Sequence, residues 1–104
     1  EAADRALPYY RGGAGTTAEC SRLCASISMT HMGRQYNGEC WCGGEEYGKH
    51  GSAGANCQNC QIDGNNYFGS GSSCVFELTS PGFAGLPSPI GAYEGCYEDR
   101  EGSR

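Results

Sequence analysis

Cys20, Cys24, Cys40, Cys42, Cys57, Cys60, Cys74 and Cys96 are the residues of this chain with the most chemistry open to them. With His31 and His50 they offer a zinc ligand set, since thiolates and imidazoles are the ordinary zinc donors. The Cys-x-Cys at 40–42 and Cys-x-x-Cys at 57–60 fit no standard finger, however, and eight dispersed cysteines in a short chain read better as bridges. No metal is expected. Asp63-Gly64-Asn65-Asn66 begins like a calcium loop but lacks the alternating carboxylates and the distal Glu, so it reads as a turn. Glu45, Glu46, Glu98 and Asp99 are carboxylates without the paired separation that glycoside hydrolysis needs. No serine elbow and no cysteine–histidine arrangement stands out. The chain is read as non-enzymatic, with no catalytic residue and no cofactor.

Composition explains why bridges are needed. Leu, Ile, Val and Phe together supply 11 of the 104 residues. That is far below the roughly one-fifth share under which an uncross-linked chain is usually disordered. Eighteen glycines add to the entropy that folding must overcome. Four closed loops, each stabilising by ~2–4 kcal/mol, can stand in for most of a missing core. Such cysteine usage implies an oxidising, extracellular setting at a cell surface or cell wall. The net charge of −5, with Lys49 the one lysine, argues against nucleic acid as a partner. No apolar run is long enough to span a membrane, and no secretory leader is present, so the chain is read as mature material or a fragment.

The elements that would position the cysteines follow from local signals. Thr16-Thr17-Ala18-Glu19 is a capping-box pattern, and the residues after it suit a helix from about 17 to 27. Cys20 and Cys24 then share one face, about 6 Å apart along the axis, with Leu23 and Ile27 near them. Asn37-Gly38 between two strand-like runs calls for a two-residue hairpin turn. In that register Tyr36 faces Glu39, Gln35 faces Cys40, Arg34 faces Trp41 and Gly33 faces Cys42. Cys40 and Cys42 lie on one side, about 7 Å apart, with Arg34, Tyr36 and Trp41 on the other. A helix and a strand with matching cysteine spacings can be stapled twice, in either the straight or the crossed pairing. The fold expected is a small disulfide-rich α+β module, the helix packed on antiparallel strands at 33–36, 39–42, 74–79 and 93–97. Residues 43–73 read as loop, and Ser80–Ala92 as a Pro/Gly/Ser linker.

QYNGECWCG at 35–43, preceded by a helix carrying CSRLC, resembles the WSC domain, a carbohydrate-binding family with a PAN-like fold. Such a domain opens with a Gly-Cys-Tyr-x-Asp segment and continues to an Arg-Ala-Leu-like stretch. Here the opening is Gly95-Cys96-Tyr97-Glu98-Asp99 at one end, and Arg5-Ala6-Leu7 stands at the other. Joined end to start, GCYEDREGSR-EAADRALPYY gives one uninterrupted opening, and the eight cysteines fall in the family order 96, 20, 24, 40, 42, 57, 60, 74. The resemblance implies bridges Cys20–Cys40, Cys24–Cys42, Cys60–Cys74 and Cys57–Cys96. It also implies residues 1–79 as the body of one domain, 80–92 as linker and 93–104 as the opening of the next repeat. On that reading Cys96 pairs with Cys57 of a neighbouring copy, in a filament or tandem array.

The surface expected to bind glycan is the outer hairpin face of Arg34, Tyr36 and Trp41, extended by Tyr47, Tyr67, Tyr9 and Tyr10. Sugar rings have apolar faces and polar edges, which suit aromatic rings beside hydrogen-bonding groups. The competing role for Trp41 is core, packed beneath the 43–56 loop. Thr79, Ser80 and Ser88, beside prolines, are O-glycan candidates on the linker. Two functions result: a structural repeat of an extracellular fibre with carbohydrate-binding character, or a discrete lectin-like module anchoring a protein to wall polysaccharide.

Overall fold

A computed structural model describes residues 5–61, 67–79 and 89–99. Among the described residues there is one α-helix, α1 (Thr17–Ser26), which Thr16 caps by accepting the Glu19 amide at 3.0 Å, while Glu19 Oε1 reaches back to the Gly15 amide at 3.0 Å. Both halves of the capping box are therefore in use, the second one residue earlier than usual. Among the described residues five strands form a single antiparallel sheet: β1 (Tyr9–Gly13), β2 (His31–Gln35), β3 (Glu39–Gly43), β4 (Ser72–Leu78) and β5 (Ile90–Glu98). Their spatial order is β1-β3-β2-β4-β5, with β1 and β5 at the edges. Edge strand β1 carries no alternating pattern and ends in two glycines, so nothing local announces it. A short 3₁₀ turn at Glu45–Gly48 interrupts the segment read as loop.

The hairpin register differs from the expected one. Gln35, not Tyr36, pairs with Glu39, and Arg34 pairs with Cys40. Tyr36, Asn37 and Gly38 thus form a three-residue loop, with Tyr36 at φ 53° and Gly38 at φ 75°. Tyr36 leaves the ladder because the next segment claims its backbone. Its amide donates to Gly69 O and its carbonyl accepts from Phe68 N, both at 2.8 Å. A slip of one residue carries the whole of β2 to the other face. Arg34 therefore points at the helix side and is fully buried, so it is no part of an outer binding face.

The sheet has a core on each face. On the helix side Cys20, Cys24, Met32, Cys40, Cys42, Phe68, Cys74, Phe76 and Leu78 pack together. On the other side Leu7, Trp41 and Val75 form a smaller cluster, with Tyr47 and Tyr97 against it. Arg34 crosses the first core, donating to Ala14 O at 2.9 Å and Gly38 O at 3.2 Å over the Phe68 ring.

Four bridges close this scaffold: Cys20–Cys40, Cys24–Cys42, Cys57–Cys96 and Cys60–Cys74. The first two staple α1 to β3 in the straight pairing. Cys57 and Cys96 belong to one chain, 5.8 Å apart at Cα, which corrects the expectation that Cys96 would reach a neighbouring copy. The physical reason is strand pairing: β5 lies along β4 of its own chain, with Cys96 opposite Cys74. Residues 93–98 thus pair within this chain's own sheet, and β5 begins at Ile90, inside the stretch read as linker. Ser80 and Ser88, and the Asp63–Asn66 turn, lie outside the described residues. Thr79 is described, and its hydroxyl donates to Pro89 O at 3.1 Å.

Candidate functional site

Alternation along β3 turns Trp41 away from the helix, opposite Tyr10 on β1. The two rings meet at 4.8 Å between centroids, tilted by 39°. The Arg5 guanidinium lies over the indole, 3.9 Å from its centroid. It is held there by Asp99, whose Oδ2 accepts from Arg5 Nε at 3.1 Å and Nη2 at 2.7 Å, while Oδ1 accepts the Ala6 amide at 3.0 Å. The indole N–H donates to Glu39 Oε1 at 3.1 Å. Trp41 keeps only 7% of its surface, whereas Tyr10 keeps 49%. Trp41 is therefore the packed back of a shelf whose open surface is Tyr10, the indole itself being held by a guanidinium and a carboxylate.

The other residues expected to bind glycan are not on this shelf. Tyr36 and Tyr67 form an edge-to-face pair at 5.8 Å beside the hairpin loop, Tyr67 being 39% exposed. Asn59 donates to the Tyr67 carbonyl at 2.9 Å and fixes that corner. Tyr47, from the 3₁₀ turn, packs between His31 at 4.6 Å and Tyr97 at 4.9 Å. Its hydroxyl donates to Glu94 Oε1 at 3.4 Å. Burial pushes the Tyr47 hydroxyl pKa up from its ordinary value, and the charge of Glu94 adds to the shift. Arg34 is in the opposite core. Hence the expected single platform resolves into a Tyr10–Trp41 shelf, a Tyr36–Tyr67 corner and a packed Tyr47 cluster.

Sequence reading missed Arg5 and Asp99 as functional neighbours. The signal was available, because rejoining the Gly-Cys-Tyr-x-Asp and Arg-Ala-Leu segments places both residues in one stretch. Cys20, Cys24 and Cys40 come together, as do Cys57, Cys60 and Cys74, but every one is in a disulfide and has no thiolate to offer a metal. Among the described residues no helix is long and apolar enough to cross a membrane. No family model, curated protein or solved structure matches the chain.

Proposed function

We propose that this chain is a non-enzymatic, WSC-type module that binds polysaccharide on the Tyr10–Trp41 shelf and anchors what it is joined to at a cell wall or cell surface. The observation that carries the reading is the exposure of Tyr10 in a chain otherwise short of apolar side chains. A molecule that needs its aromatics inside leaves this ring half in solvent, braced by Trp41, which Arg5 and Glu39 hold in turn. An apolar ring face with charged hydrogen-bonding neighbours fits a pyranose. Four bridges, typical of extracellular proteins, hold the shelf rigid before any ligand arrives, which lowers the entropic cost of binding. The intrachain Cys57–Cys96 bridge favours the discrete module over a unit completed by its neighbour.

The structural-repeat reading keeps one observation in its support. Arg5 and Asp99 touch, so copies joined in series would each be entered and left at the same place on the fold. Tyr10→Ala is the test. Binding to cell-wall β-glucan should fall about tenfold, the equivalent of ~1–2 kcal/mol of lost stacking, with all four disulfides retained. Unchanged binding in that variant would remove the shelf from consideration. Trp41→Ala is the poorer probe, since it also opens the second core.

A further inference from the structure

The helix side of the sheet carries a cleft of about 280 Å³ lined by Thr17, Cys60, Gln61, Phe76, Ile90, Gly91 and Tyr93. Its walls come from the first turn of α1, the Cys60–Cys74 bridge and the paired strands β4 and β5. Such walls are set before a ligand arrives. Tyr93 stands opposite Phe76 across the strand pair, ring centroids 5.1 Å apart and 49° inclined, and keeps 37% of its surface exposed. The lining thus offers an aromatic wall beside an aliphatic one, with Gln61 as the exposed polar residue at its edge. Among the described residues none of the lining side chains is charged at neutral pH, which suits a neutral occupant. The volume is at the small end for ligand pockets and fits one ring. Apolar walls, an amide side chain at the edge and one-ring size together suit a hexopyranose.

We infer that this cleft is a second saccharide site, so that one module holds two glycan chains on opposite faces of its sheet. The inference rests on the polysaccharide-binding reading and adds the valence. Phe76 belongs to the helix-side core and Trp41 to the other, so the two sites cannot grip the same stretch of one chain side by side. A module of this kind cross-links polysaccharide as well as attaching to it.

The test uses calorimetric titration with a β-1,3-linked glucose hexasaccharide, on the unaltered chain, Tyr10→Ala, Tyr93→Ala and Gln61→Ala. Gln61 is exposed, so its replacement leaves packing intact and serves as the control for folding. Two sites per chain are expected, with Tyr93→Ala and Gln61→Ala each weakening one class by fivefold or more and Tyr10→Ala weakening the other. One site, sensitive only to Tyr10→Ala, overturns the cleft and leaves the proposed function standing. One site, sensitive only to Tyr93→Ala and Gln61→Ala, overturns the shelf and keeps the cleft. No heat of binding at millimolar sugar overturns both. Turbidity gives an independent readout: the unaltered chain should cluster soluble high-molecular-weight β-glucan, and Gln61→Ala should need a higher protein concentration to do so.

Discussion

The guanidinium of Arg34 holds two backbone carbonyls, Ala14 O and Gly38 O, that would otherwise be buried without these donors. Arg34→Met keeps the bulk and removes the donors, so stability should fall by about 3 kcal/mol in a denaturant titration, with binding to β-glucan unchanged in the folded fraction. Asp99→Asn acts differently, because it leaves the Arg5 charge buried over Trp41 with a neutral partner. A loss of about 3 kcal/mol is expected there, together with a change in Trp41 fluorescence. Tyr47 sets a pH limit. Its raised hydroxyl pKa means that above about pH 10 the unfolded chain gives up this proton more readily than the folded one. The stability contributed is full below the unfolded value and is lost as pH rises through the folded one. Melting temperature should therefore drop from about pH 10 upward, and Tyr47→Phe should flatten that drop.

At the scale of elements, the second core depends on what β2 and β3 lack. A Cβ at Gly43 would lie 3.1 Å from Leu7 Cα, and one at Gly33 would run into Leu7 Cδ1. Gly43→Ala meets backbone and should cost about 2–3 kcal/mol, whereas Gly33→Ala meets the end of a side chain. Combining Gly33→Ala with Leu7→Ala should then be less destabilising than the two single changes added together. The helix and the double staple were legible in sequence, because capping chemistry and the i, i+4 cysteines act locally. Hairpin register was not. Asn37-Gly38 is a strong local signal for a two-residue turn, yet Phe68 and Gly69, more than thirty residues away, capture Tyr36 and shift the pairing. β1 was hidden for the same reason, since its pairing partner β3 is distant in the chain. Of the expected sugar platform, Trp41 and Tyr10 stay together, but Arg34 was lost to the one-residue slip.

At the scale of the whole molecule, the bridges divide into local staples and one long closure. Cys57–Cys96 spans 39 residues against 14 for Cys60–Cys74, so chain-entropy reasoning gives it about 4 kcal/mol against about 3 kcal/mol. Replacing both members of the longer bridge by Ala should lower stability more than replacing the shorter pair, as read from urea midpoints. β5 should also become the first strand to exchange its amides, since it is an edge strand held on one side by β4.

The order of the bridges along the chain also fixes how the module behaves under tension. A pull applied at residues 5 and 99 cannot pass through every peptide bond, because Cys20–Cys40 and Cys57–Cys96 are covalent short cuts. Only about 35 residues remain on the loaded path, or roughly 120 Å at full stretch, where an unbridged chain of the same span would give roughly 320 Å. Reductant should restore the missing length in single-molecule extension traces. Under load the module gives a little and then stops.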